Sequence, residues 1–125
     1  MRPDARTARG ARAREDGRAA EVIAALWLMA KGYQVLGFRL RTPQGEIDLL
    51  ARRGRALAVV EVKTRTSLEE ALVAVTPRQR ERLRRAAEAL ARNRRSLQGL
   101  HVRLDLFALA PGRRPRHIAD AWRGT

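Results

Sequence analysis

The chain has no cysteine, which excludes disulfide frameworks, thiolate zinc sites and cysteine nucleophiles. Histidine is almost as scarce. His101 and His117 stand in different segments, so a histidine-rich metal site is not expected, and both read as strand-surface or hydrogen-bonded residues. Aromatic residues make up 4% of the chain, and neither Trp27 nor Trp122 has the aromatic neighbours of a base-stacking platform. Trp27 fits a helix-core pattern, and Trp122 a cap on the fold or an interface. The longest apolar run, Val22 to Ala30, has nine residues, against the roughly 18 to 20 needed to cross a bilayer. No membrane partner is expected, and the chain is read as cytoplasmic. Chemistry is left to carboxylates, hydroxyls and lysine.

Lysine itself is rare. Of 27 basic residues only Lys31 and Lys63 are lysine, the rest being arginine. Arginine cannot be deprotonated in a protein, whereas lysine shifts its pKa readily and presents a compact charge. The 27 basic residues against 13 acidic ones leave a net charge of +14. That excess suggests a polyanionic partner, nucleic acid first of all, because neutralising phosphates releases counterions. The other reading is a surface loaded with arginine by a GC-rich genome or by thermophily. The arginines cluster before residue 20, between Arg78 and Arg95, and at Arg113, Arg114 and Arg116. With 125 residues, 45% of them apolar, the chain suits one domain: a flexible basic N-terminal arm over residues 1–12 and a single domain over 13–125.

The spacing of apolar residues predicts an alanine-rich helix from about Ala13 to Lys31, stopped by Gly32. Apolar residues surround its second half, which predicts a buried helix. Leu36, Phe38 and Leu40 alternate as in a strand over Tyr33–Arg41, and Thr42-Pro43-Gln44-Gly45 is a turn. Strands follow at Glu46–Arg52 and Ala56–Thr64. Ser67 and Glu70 form a possible capping box for a short helical turn ending near Val75. Thr76 and Pro77 open a longer helix to about Arg92, whose apolar stripe includes Leu83, Ala86, Ala87 and Leu90. A fourth strand spans about Leu100–Leu109, and His117-Ile118-Ala119 adds an edge. This is an α/β domain.

The hairpin places the chemistry. With Arg53-Gly54 as its two-residue loop, Asp48 opposes Val59, Glu46 opposes Glu61, and Asp48 and Glu61 become diagonal neighbours about 7–8 Å apart at Cα. Alternation then puts Glu46, Asp48, Glu61 and Lys63 on one side and Ile47, Leu49, Val60 and Val62 on the other. Two carboxylates at that separation can share a divalent cation with oxygen ligands at about 2.0–2.6 Å. The bland alternative is a solvated sheet face with ion pairs worth little. Against it, residues 56–62 are apolar apart from Glu61, and a charge on an interior strand needs a partner or a function. Arg103 and Asp105, alternating on one strand, read as a pair that is either structural or a support for the site.

Asp48, twelve intervening residues, then Glu61-Val62-Lys63 resembles the PD-(D/E)xK signature of the restriction-endonuclease-like superfamily, with Ile47 in place of the proline. Gly45-Glu46-Ile47-Asp48-Leu49-Leu50 and Val60-Glu61-Val62-Lys63-Thr64-Arg65, with Ala20-Glu21, Gly32-Tyr33 and Arg103-Leu104-Asp105 in order, resemble the bacterial YraN family of predicted nucleases. The resemblance covers about residues 15–122. It implies a restriction-endonuclease-like core, a mixed β-sheet flanked by helices in the order α-β-β-β-α-β, and a metal-dependent endonuclease that hydrolyses DNA phosphodiesters, including branched ones. It implies that Asp48, Glu61 and Glu21 bind Mg²⁺ or Mn²⁺ and that Lys63 positions or activates water.

Glu21 also reads as an ordinary exposed glutamate, off the centre of the apolar stripe. Glu46 reads either as an organiser of the metal ligands or as a solvated turn-end acid. Gln79 stands where the family would carry lysine, leaving a phosphate contact in question, and Leu104 replaces a usual phenylalanine. Arg65, Arg78, Arg82 and Arg85 are the candidate phosphate contacts. A homodimer is an expectation by analogy only. The rival to an enzyme is a catalytically inactive nucleic-acid-binding or scaffolding module.

Overall fold

Helix α1 (Ala5–Ala30) ends where Gly32 adopts a φ of +91°. The Gly32 N–H returns to the Met29 carbonyl and the Tyr33 N–H to the Leu28 carbonyl, both at 3.0 Å, a Schellman closure that only a residue free of a Cβ enters cheaply. The computed structural model describes residues 5–123, with side chains described from Gly17. The basic arm expected over residues 1–12 lies outside the described side chains.

Strands β1 (Gln34–Thr42), β2 (Gly45–Arg53) and β3 (Ala56–Thr64) follow as an antiparallel run. Helices α2 (Leu68–Ala74) and α3 (Pro77–Asn93) then carry the chain to β4 (His101–Leu109), parallel to β3, and β5 (Arg116–Ile118) completes the edge. The sheet order is β1-β2-β3-β4-β5, a mixed sheet with the α-β-β-β-α-β succession expected. The helix starts are chemically explicit. Ser67 accepts the Glu70 N–H at 3.1 Å. Thr76 and Gln79 form a reciprocal capping box behind Pro77, supplying two of the acceptors that first-turn donors need.

Two cores cover the two faces of the sheet. On one, α3 sets Leu83, Ala86 and Ala87 over Ile47, Leu50, Leu57, Val59 and Leu104. On the other, α1 sets Ala24, Ala25 and Leu28 over Leu49, Ala51, Ala58, Val60 and Phe107. Small side chains on α1 let its backbone approach the sheet closely. Val22, Leu26 and Met29 consequently face outward, and Trp27 is 38% exposed with one edge toward Phe107. Thus the expectation of a buried helix holds for its alanine face alone, and Glu21 lies on that buried face. The apolar pattern is weighted by the large residues, and these are the ones left out.

The hairpin register also departs from expectation. Arg53 pairs with Ala56, Leu50 with Val59 and Leu49 with Val60, so Gly54-Arg55 is the turn. Gly54 has a φ of +59° and Arg55 is not among the residues of positive φ, the pattern of a turn with glycine first. The shift is two positions, so β3 keeps its faces, but Asp48 no longer opposes Val59. Ile47 changes sides. It packs with Leu50 and Val59, away from Leu49. The break in alternation falls at Asp48, between the pairs Phe38↔Leu49 and Leu40↔Ile47, where Arg39 takes a left-handed φ of 47°.

Two leucines two positions apart on α1 separate these faces. Leu28 is fully buried and Leu26 is 61% exposed. Leu28→Ala is expected to cost about 2–5 kcal/mol and Leu26→Ala within about 0.5 kcal/mol, measured by urea unfolding. Equal or inverted costs would contradict this orientation of the helix.

Candidate functional site

The last pair of the β2–β3 ladder is Leu49↔Val60. Beyond it the strands part, and the Val62 N–H donates to Asp48 Oδ2 at 3.0 Å, a side chain supplying the acceptor that the neighbouring backbone no longer provides. Glu61 is buried between these events, 8% exposed, and its Oε1 has no hydrogen-bond partner. Such an orphaned oxygen is costly unless something binds it. Burial first, then the charge of Asp48, pushes the Glu61 carboxyl up to about 8, with Lys63 acting in the opposite direction. Two carboxylates this close disfavour joint ionisation. Lys63 is two residues further along β3, half-buried, and alternation returns it to the face of Glu61.

Glu61 opens onto a cleft of about 170 Å³ that is also lined by Gly45, Glu46, Gln79, Arg82 and Leu83. Glu46 is exposed, and its distance of 3.9 Å to Arg41 Nε is a weak surface pair. Gln79 commits its side-chain oxygen to the Thr76 N–H at 2.9 Å. Arg82 and Arg78 are exposed on α3, Arg85 pairs with Glu81 at 3.1 Å, and Arg65 donates to the Thr64 carbonyl at 2.8 Å. The structure therefore brings Glu61, Glu46, Gln79 and Arg82 around one opening, with Asp48 beside Glu61 at the parted strands.

Glu21 is engaged elsewhere. Arg39 Nε donates to both its carboxylate oxygens, at 3.1 and 2.9 Å. The Arg39 guanidinium is held above its ordinary pKa by that hydrogen bond first, with Glu46 and Asp48 among the smaller contributions. Arg39 thus stands between the helix acid and the strand acids. Nothing in the strand pattern marks it, since its left-handed φ is invisible to alternation. Among the described residues no group of three or more acids or histidines is arranged to hold a metal ion.

A second buried carboxylate lies on the α1 side. Asp105 is fully buried and accepts from Arg103 through Nε and Nη2, both at 2.8 Å. It also accepts from His117 Nε2 at 2.8 Å and the Asp120 N–H at 3.0 Å. Burial alone raises the Asp105 carboxyl, but the hydrogen bonds from His117, Arg103 and Asp120 outweigh it and hold it below the usual range. Lys31 donates to His117 Nδ1 at 3.0 Å, and Tyr33 joins Arg103. The Arg103–Asp105 pair is structural, His117 is a satisfied histidine, and Trp122 caps the fold by donating to the Leu72 carbonyl at 3.1 Å.

Sheet, helices and cleft together define a mixed α/β protein with a buried acid, Glu61, beside a half-buried one, Asp48, where two strands separate, and among its described residues no helix is long and apolar enough to cross a membrane. The chain belongs to the uncharacterised protein family UPF0102, the YraN family, whose model matches residues 20–109. It is 68% identical over 124 residues to a UPF0102 protein of Caulobacter vibrioides, covering 99% of each chain. A UPF0102 protein of Maricaulis maris is 52% identical over 106 residues, 85% of this chain and 84% of the relative. One from Rhizobium meliloti is 46% identical over 121 residues, 97% of each.

The raised Glu61 carboxyl has a pH signature. Protonated when folded and ionised when unfolded, it stabilises the fold at low pH, and that contribution drains away between its ordinary value of 4.5 and about 8. Asp105, lowered by its partners, has the opposite sign and loses its contribution only in acid. In chelator, the Tm of Glu61→Gln minus that of the wild type is therefore expected to climb from pH 5 to pH 8 and then level off. A difference independent of pH would mean Glu61 is already ionised in the folded chain.

Proposed function

We propose that this protein is a metal-dependent endonuclease acting on DNA phosphodiester bonds, with branched DNA among its substrates. The observation that carries the reading is the partnerless buried Oε1 of Glu61 beside Asp48. A hard divalent cation with oxygen ligands, Mg²⁺ or Mn²⁺, suits that donor set and removes the cost of the orphaned oxygen. Asp48 and Glu61 would hold it, and Glu21, both of whose oxygens are taken by Arg39, would join as a third ligand only on leaving that pair. When bound, such an ion polarises a phosphoryl oxygen and acidifies water.

The remaining roles belong to this chain's own side chains. Asp48 bridges the parted strands by accepting the Val62 N–H. Lys63, an ammonium on the same face as Glu61, orients water or neutralises charge developing on a nonbridging phosphate oxygen. Glu46 and Gln79 shape the cleft wall, and Arg82, at its rim, together with Arg65 and Arg78, draws in phosphates. Arg85 would act only on leaving Glu81. The likeness to the PD-(D/E)xK signature at Asp48, Glu61 and Lys63 supports the same assignment.

One observation favours a second reading, a nucleic-acid-binding module without turnover: Glu21 is held by Arg39, away from the acid pair. Cleavage of linear, nicked and four-way DNA in Mn²⁺ separates the two. Lys63→Ala and Glu61→Ala are each expected to lower cleavage by about 100-fold or more while DNA binding in chelator stays within about threefold. A wild type that binds but cuts none of these substrates would leave the binding module.

A further inference from the structure

The third arginine group plays no part in the proposal above. Arg113, Arg114 and Arg116 are exposed, and no ion pair among the described residues involves them. They are held in a definite place. The Arg113 N–H closes on the Ala110 carbonyl at 3.1 Å, Gly112 takes a φ of +72°, and Pro115 fixes the approach to β5. Together with Ser67 and Leu68 they line a cleft of about 60 Å³. That is far below the roughly 300–1,000 Å³ of a small-molecule site, so the cleft suits a charged group and not a whole metabolite.

Its position follows from the register. Lys63 pairs with Ala108 on β4, and Ala108 pairs with Arg116 on β5. Opposed residues share a face, so Lys63 and Arg116 project from the same side of the sheet. They are two strand spacings apart, about 10 Å, and Ala108 between them is buried against Leu68 and Leu72 of α2. Arg82 lies on the other flank, at the Glu61 cleft. The cations are therefore arrayed across the strands as Arg82, then Lys63, then Arg116 with its two loop neighbours.

We propose that the Arg113, Arg114 and Arg116 cleft binds a backbone phosphate of the same nucleic-acid strand whose phosphate faces Lys63, so that the strand passes the start of α2 toward the β5 edge. The inference rests on the reading of Lys63 as facing a phosphate. A polyanionic backbone suits it better than an acidic protein surface, because cations recur at Arg82, Lys63 and the arginine cleft, and a repeating backbone supplies an anion to each.

The test compares two variants of equal charge change: Arg113→Gln/Arg114→Gln/Arg116→Gln, and Arg55→Gln/Arg94→Gln/Arg95→Gln at the opposite end of β3 and β4. Binding of a fluorescent DNA single strand and of a duplex is measured in chelator across a salt series, so cleavage plays no part. The loop variant is expected to bind about tenfold or more weakly at 0.1 M salt, with the slope of log K against log salt reduced by about 0.7–0.9 for the one phosphate no longer neutralised. The opposite-end variant is expected to change far less. Equal losses in both would reduce the effect to net charge and overturn the inference. Unchanged binding in the loop variant would overturn it too, and would turn the cleft over to an acidic protein. Failure of the nuclease reading shows separately, as absent cleavage in Mn²⁺ with this binding pattern intact.

Discussion

Where β2 leaves β3, a backbone N–H loses the acceptor it would have had in a continuing ladder. The Asp48 carboxylate takes that place at Val62, and the rest of the site depends on the substitution. A carboxylate used in this way is fixed beside β3 by the same bond that satisfies the sheet. Glu61, the residue just before Val62, is thereby set against a second acid in a dry position. If the ladder continued past Leu49↔Val60, Asp48 would be an ordinary strand residue. The separation of the strands is therefore what sets Asp48 beside Glu61.

The protein carries two buried carboxylates on neighbouring strands, and their treatment differs completely. Asp105 accepts four hydrogen bonds, from Arg103, His117 and the Asp120 backbone, and is held ionised. Glu61 retains an oxygen with no partner and is driven toward the neutral acid. Burial is common to both, so burial alone does not distinguish function from architecture. What distinguishes them is completeness. A saturated carboxylate has no capacity left for a ligand, whereas an unsaturated one at the mouth of a cleft does.

Much of this was legible in the sequence, for reasons that vary by element. Thr76-Pro77 mark the start of α3 because capping is local chemistry, whereas the part of Gln79 in that cap is not part of the sequence reading. Gly32 ended α1 for the same reason. The pairing of Arg103 with Asp105 followed from alternation on one strand. The hairpin register is ambiguous in the sequence because Arg53-Gly54 and Gly54-Arg55 both make two-residue turns, and the pairing of Arg53 with Ala56 decides between them. Alternation puts Ile47 on the wrong face because it assumes an unbroken pleat, and Arg39 breaks it. The apolar pattern misplaces the buried face of α1 because hydrophobic size, which dominates a pattern, matters less than how closely a helix of alanines can approach Ala51 and Ala58. The contact of Glu21 with Arg39 is tertiary, between side chains eighteen positions apart, and no local rule reaches it.

The Asp105 cluster has one more consequence. His117 and the Asp120 backbone belong to the last stretch of the chain, yet both terminate on a carboxylate deep beneath the sheet on the face opposite the arginine loop. The loop is consequently tethered from behind. A truncation removing residues after Ala110 would strip away the loop's charge and also leave Asp105 without His117 and Asp120, shifting its whole burden onto Arg103. The C-terminal tail is in that sense an internal counterweight, and trimming it as a surface ornament would unbalance the middle of the molecule.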